Sequence, residues 1–289
     1  MRLVTFRVDG SSRVGVLRTD EEVVEIDEPG DMLGLIESGT EGIAAARSAM
    51  TSRARAHRLD AIELLSPIPT PRGNVIAMGR NYQKHAAETA AAEGREPTPP
   101  TIFTKAITSI TDPYADIAID PAVSDKIDWE VELGVIVGKK GANIKRDRAR
   151  DFIFGYTVCN DVSARDIQSE WGGQYFKGKS LDRSSPMGPW IVTADEIGDP
   201  QDLRLQLHVN GISKQDGSTR DMIYSVDAVI EWVSVGMTLL PGTIISTGTP
   251  DGVGFARTPP EFLKPGDVME TKVEKIGKLR NRIVSAVRD

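Results

Sequence analysis

The segment DWEVELGVIVG (residues 128–138) sets two glutamates, Glu130 and Glu132, into a run of Val, Leu and Ile that otherwise reads as a buried strand. Successive strand side chains alternate faces, so Glu130 and Glu132 share one face while Val131 and Leu133 share the other. Two carboxylates on one partly buried face repel each other and lose hydration, which is costly unless positive charge offsets them. A hard divalent cation such as Mg²⁺ or Ca²⁺ meets that demand with oxygen ligands and retained waters. The same spacing also suits an amphipathic strand whose glutamates face solvent, and spacing alone leaves both readings open.

A third carboxylate stands close by in the sequence. The apolar run of GYTVCNDVSARDIQ (residues 155–168) ends at Cys159, followed by Asn160 and Asp161 and then a helical turn beginning near Ser163. Asp161 therefore sits at a strand end, as a third ligand or as a turn or cap residue. Cys159 is the only cysteine, so neither an intrachain disulfide nor a cysteine metal site can form, and its apolar neighbours mark it as packing.

The pattern around these segments predicts a β-rich α+β chain. Residues 1–27 alternate apolar and polar as an antiparallel meander, residues 31–58 read as helical, and the Pro-rich LLSPIPTPRGN (residues 64–74) reads as a linker. The expected organisation is a small N-terminal domain over residues 1–66 and a main domain over 67–289. A strand NVIAMG, a helix over residues 82–92 and a loop EGREPTPPT follow. From Thr101 onward most segments read as strands, with Asn210-Gly211 marking a hairpin and the apolar spacing of 226, 229, 230 and 233 marking a helix face.

Lys plus Arg number 35 against 42 Asp plus Glu, a formal charge of −7, and no basic run tracks a phosphate backbone, so nucleic acid is not an expected partner. No stretch approaches the length of a membrane span, no leader is evident, and a soluble cytoplasmic protein is the expectation.

Of three histidines, His57 falls at the basic end of the 31–58 helix and His208 alternates within LRLQLHVNG, both with surface or packing readings. His85 in MGRNYQKHAAETA stands three residues before Glu88. On a helix the two share a face, as a general base with an orienting carboxylate or as a solvated pair.

Three segments, DWEVELGVIVG, GYTVCNDVSARDIQ and KGKSLDRSSPMGPWIV (residues 177–192), followed by STGTPDGVG (residues 246–254), together resemble the fumarylacetoacetate hydrolase family over residues 70–286. The resemblance implies an α+β, predominantly β fold, a mixed β-sandwich roll, with the variable small domain that many bacterial members carry at the N-terminus. It implies a divalent metal, Mg²⁺ or Mn²⁺ with Ca²⁺ able to substitute in crystals, held by Glu130, Glu132 and Asp161. His85 and Glu88 take the place of the water-activating pair on a lid. Lys179 and Gln168 match positions that contact the oxyanion or substrate oxygens, Gly248 and Thr249 match the substrate carboxylate contact, and Arg80, which immediately precedes the lid, is a further candidate substrate contact. Arg165 and Asp166 read as structural.

The substrate so implied is a small 2-oxo acid. The main expectation is hydrolysis of a C–C bond in an acylpyruvate-type β-diketo acid with release of pyruvate. The alternative is an isomerase or decarboxylase of an unsaturated 2-oxo diacid from aromatic breakdown, and a catalytically silent binding protein is an alternative of another class. The resemblance implies a homodimer. The substrate's tail would be read by residues 86–100 and by a 170–177 loop.

Overall fold

The computed structural model describes residues 1–27, 30–93 and 101–286. Strands dominate, and the expected α+β, predominantly β roll is what forms. Twelve strands join one sheet, whose main path runs Ala56–Arg58, Glu22–Glu25, Ser11–Leu17, Arg2–Val8, Ser185–Thr193, Ile153–Asn160, Val131–Val137, Ile244–Ser246, Val75–Gly79 and Thr101–Lys105. A five-stranded sheet, ordered Ile212–Ser218, Arg204–Val209, Val268–Val273, Gly277–Ser285 and Ile117–Ile119, packs on it. Among the described residues no helix is long and apolar enough to cross a membrane.

The central strands Val131–Val137 and Ile153–Asn160 are buried on both faces, which is why they read as near-continuous apolar runs. On one face Val131, Leu133 and Val135 meet Leu205, Leu207, Met269 and Leu279 of the second sheet, and Val226, Val229, Ile230 and Val233 of the helix Val226–Ser234 join this core. Each of those four helix side chains contributes ~1.5–3 kcal/mol on burial. On the other face Ile136, Cys159 and Ile191 pack with Leu35, Ile36, Ala46 and Ala49 of the N-terminal helices. Burial, then the nearby Glu132 carboxylate, pushes the Cys159 thiol well above its ordinary range, in keeping with a packing role. The expected hairpin turns at Asn210 and Gly211, both with positive φ.

The N-terminal meander is part of the large sheet, because Arg2–Val8 pairs antiparallel with Ser185–Thr193 (Arg2↔Val192, Leu3↔Ile191). One expectation fails here. Residues 31–58 do not form a continuous helical segment: helices Met32–Glu37 and Thr40–Thr51 are followed by the strand Ala56–Arg58. His57 therefore lies on a strand paired with Glu22–Glu25, its Nε2 2.6 Å from Glu25 Oε1. The basic SRARAHR stretch gains backbone partners along that strand and a carboxylate for its imidazole, which outweighs its weak helical preference.

The helix near residue 82 forms as Gln83–Glu93. Most of EGREPTPPT, and with it part of the 86–100 segment expected to read the substrate, lies outside the described residues. The 170–177 segment is less loop-like than expected, since it holds a helical turn Tyr175–Gly178 after Gly172 and Gly173.

The site follows from strand register. Val131 pairs with Asn160, and the Asp161 amide donates to the Glu130 carbonyl at 2.9 Å. Residues just outside the paired ends of two central strands are thereby brought together.

Candidate metal centre and active site

Glu130, Glu132 and Asp161 are all buried, and each places a carboxylate oxygen within 4.8 Å of the others. The solvent-exposed reading of the glutamate pair is therefore excluded. Each carboxylate is held differently. Glu130 Oε1 accepts from Arg165 Nη2 at 2.6 Å and Oε2 from Lys179 Nζ at 2.7 Å. Asp161 Oδ1 accepts from Lys105 Nζ at 2.5 Å and Oδ2 from Lys179 Nζ at 2.9 Å. Glu132 Oε2 accepts from the Ser246 hydroxyl at 2.5 Å and the Gly248 amide at 2.8 Å.

Those partners divide the titration behaviour. Burial raises the pKa of Glu130, but the positive charges of Lys179 and Arg165 more than offset it and hold the carboxyl well below its usual range. Glu132 is pushed well above its range, first by burial and then by the Asp161 and Glu130 charges. Burial lowers the Lys105 ammonium against the pull of Asp161, whereas the Asp161 and Glu130 charges overcome burial and raise Lys179.

The residues fit a hard divalent cation. The donor set is all oxygen, and Glu130 and Asp161 already have cationic partners. Among the described residues the donors to Glu132 are a hydroxyl and an amide, both on Oε2, so its Oε1 is the carboxylate oxygen most in need of positive charge. Glycine suits position 248, since its φ of +97° is one that side-chain-bearing residues rarely adopt, and a Cβ there would meet Asn81 Cβ at 2.8 Å.

A cavity above the carboxylates is lined by Arg80, His85, Gln168, Lys179 and Thr249 together with Phe103, Tyr175 and Phe255. His85 is buried, and its Nδ1 lies 2.9 Å from Glu88 Oε1. With Nδ1–H donating to that carboxylate, Nε2 is the basic nitrogen. Glu88 also accepts from the Gly252 amide, 3.2 Å from each carboxylate oxygen.

The other expected residues fall as follows. Gln168 Oε1 accepts from Arg165 Nη1 at 3.1 Å, which leaves Nε2 as its donor end. The Thr249 hydroxyl donates to the Val131 carbonyl and accepts from Gln215 Nε2, both at 2.8 Å, and the Gly248 amide is engaged by Glu132. Arg165 is more than structural: besides bonding Asp128 Oδ2 at 2.8 Å it touches Glu130 and lines the cavity. Asp166 Oδ1 accepts from Ser124 Oγ and the Ile167 amide.

Sequence reasoning missed Lys105 and Asp128. Lys105 closes the strand TIFTK, where a terminal lysine reads as a solvated end, yet it is 2% exposed. Asp128, fully buried, accepts from Arg165 and from the amides of Trp129, Gly254 and Phe255. Its adjacency to the glutamate pair was the available signal.

Residues 74–284 match the family described as fumarylacetoacetate (FAA) hydrolase C-terminal. The chain is 36% identical to oxaloacetate tautomerase YisK of Bacillus subtilis (strain 168), over 98% of this chain and all of that one. Among solved structures it is similar to a fumarylacetoacetate hydrolase from the psychrophile Exiguobacterium antarcticum (TM-score 0.87, 36% identity, 99% of this chain and 100% of that one). It is also similar to 2-hydroxyhepta-2,4-diene-1,7-dioate isomerase from Mycobacterium marinum (TM-score 0.78, 32% identity, all of both chains).

Proposed function

The chain belongs to the fumarylacetoacetate hydrolase family, a family of enzymes, and from that premise we propose that it is a divalent-metal-dependent tautomerase or isomerase of small 2-oxo diacids, with oxaloacetate as its first candidate substrate. The observation that carries this reading is the pairing of an imidazole base, backed by Glu88, with a buried ammonium, Lys179, around one cavity. The full-length similarity to a tautomerase and an isomerase favours proton transfer over the C–C hydrolysis expected first.

Tautomerisation moves one proton between C3 and the oxygen on C2 and needs no water. In this reading His85 Nε2 takes the proton from C3 as the enolate forms, Glu88 stabilises the imidazolium, and the imidazolium then returns that proton to the C2 oxygen to give the enol. Lys179 Nζ offsets the negative charge that gathers on the C2 oxygen. Arg80 and the Gln168 amide receive the substrate's carboxylates, and Phe103, Tyr175 and Phe255 exclude water from the proton path. Glu130, Glu132 and Asp161 would hold Mg²⁺ or Mn²⁺, which supplies Lewis-acid polarisation of the 2-oxo group.

Hydrolysis of an acylpyruvate is the second reading, favoured by the same His85–Glu88 pair, since a base that takes a carbon-bound proton can also activate water. Stopped-flow decay of the enol absorbance of oxaloacetate separates the two. Metal-dependent acceleration that EDTA abolishes is expected. Pyruvate released from acylpyruvates without any acceleration of enol–keto exchange would move the assignment to hydrolysis, and pyruvate with CO₂ from oxaloacetate would move it to decarboxylation.

A further inference from the structure

Glu88 is held from two sides. One is the imidazole of His85; the other is the amide of Gly252, 164 residues further along the chain and outside the cavity lining. What fixes Gly252 therefore bears on how Glu88 is aimed. Its carbonyl accepts from the Trp129 indole Nε1–H at 3.2 Å and from Arg257 Nη2 at 3.4 Å. Trp129 is 1% exposed and immediately precedes Glu130. Two cations stand over its ring, Lys214 Nζ at 5.8 Å and Arg257 Cζ at 6.0 Å from the centroid, and Arg257 Nη2 also donates to the Lys214 carbonyl at 2.7 Å.

The turn at Gly252 suits glycine and not a residue with a side chain. Its φ is +99°, and a Cβ at this position would lie 2.2 Å from the Lys214 carbonyl oxygen. Two residues on, the Gly254 amide is bonded to Asp128 at 2.6 Å. The turn is thus pinned on both sides by Asp128 and Trp129, the two residues that lead into Glu130.

We propose that Trp129 is a positioning residue for the His85–Glu88 pair: its indole N–H fixes the Gly252 turn, whose amide aims the Glu88 carboxylate at His85 Nδ1. One short segment, residues 129–132, would then set both halves of the site, with the glutamates holding the metal and the tryptophan aligning the base. This inference rests on the reading of His85 and Glu88 as the proton-transfer pair.

The test is Trp129→Phe, which keeps an aromatic ring but removes the N–H. Two readouts accompany it in the metal-loaded protein. In steady-state kinetics the expected result is a fall in kcat of about tenfold with KM and the metal-induced rise in Tm unchanged. In proton NMR, the downfield Nδ1–H resonance of His85, to be assigned by its loss in His85→Gln, should broaden or vanish in Trp129→Phe and in Glu88→Gln alike. Unchanged kcat with an unchanged resonance overturns the proposal, and so does a fall in activity that comes only with loss of metal binding. Should Trp129→Phe fail to fold, Arg257→Gln removes the second donor to Gly252 and should weaken the same resonance; an unaltered resonance there counts against the proposal. The resonance does not depend on turnover. A protein inactive on every 2-oxo diacid that still shows the coupled loss would defeat the functional reading and leave the linkage standing.

Discussion

Lys105 Nζ lies 2.5 Å from Asp161 Oδ1, with both side chains almost wholly buried and 56 residues apart in sequence. An ion pair so enclosed cannot lose one member cheaply, because the other is left as an uncompensated charge. Lys105→Met should destabilise the metal-free protein by about 3 kcal/mol, the lower end of the usual range, since Lys179 still touches Asp161. Urea unfolding in EDTA measures this; an unchanged midpoint would show that the pair contributes nothing.

Glu132 yields a prediction with an explicit sign. Its folded pKa is raised above the ordinary 4.5, so folding takes up a proton there, and stability declines as pH climbs from about that value through the raised one. Glu132→Gln removes this decline. The metal-free variant should melt above wild type at neutral pH, with the gap closing as pH falls toward 4.5, and should show no rise in Tm on adding Mg²⁺ or Mn²⁺. A variant that melts with wild type across that range would refute the electrostatic account.

Lys179 joins Glu130 to Asp161 and faces the cavity. Lys179→Ala should lower kcat by on the order of a hundredfold, the usual cost of removing one positioned donor from a developing oxyanion. Lys179→Arg should not restore the rate, because a planar guanidinium cannot occupy a site shaped for a compact ammonium. Enol–keto kinetics at saturating metal decide the matter, and near-wild-type turnover in either variant would remove Lys179 from the mechanism.

Gly248→Ala tests how far the metal ligands depend on backbone. The added Cβ meets Asn81 at 2.8 Å on a residue with φ of +97°, so the amide that supports Glu132 must move. A loss of roughly 1–3 kcal/mol in stability, the usual cost of such strain, is expected together with weaker metal affinity by calorimetric titration. Wild-type affinity in a folded variant would count against the role given to this amide.

Much of the site was legible because strand periodicity is a strong signal. Glu130 and Glu132 two residues apart, and Asp161 just past an apolar run, specify a shared face and a strand end before any coordinates are known. The i,i+3 spacing of His85 and Glu88 likewise fixes a contact within one helix. Lys105, Ser246 and Gln215 were not legible, since what makes each important is a partner on another strand, and one sequence carries no record of register. His57 was misplaced for a related reason: a short edge strand takes its conformation from the strand beside it, and local composition favoured helix instead. The two readings of function divided on the substrate, which neither pattern nor packing encodes.

The join between Arg2–Val8 and Ser185–Thr193 has a bearing on how the molecule is made. The opening strand leaves the ribosome about 190 residues ahead of its partner, ~10–40 s at ordinary rates of synthesis. During that interval the nascent meander presents an unpaired border to its surroundings, a standing invitation to mispairing. Chaperone demand should therefore concentrate between the synthesis of these two strands, an interval in which the three carboxylates also leave the ribosome.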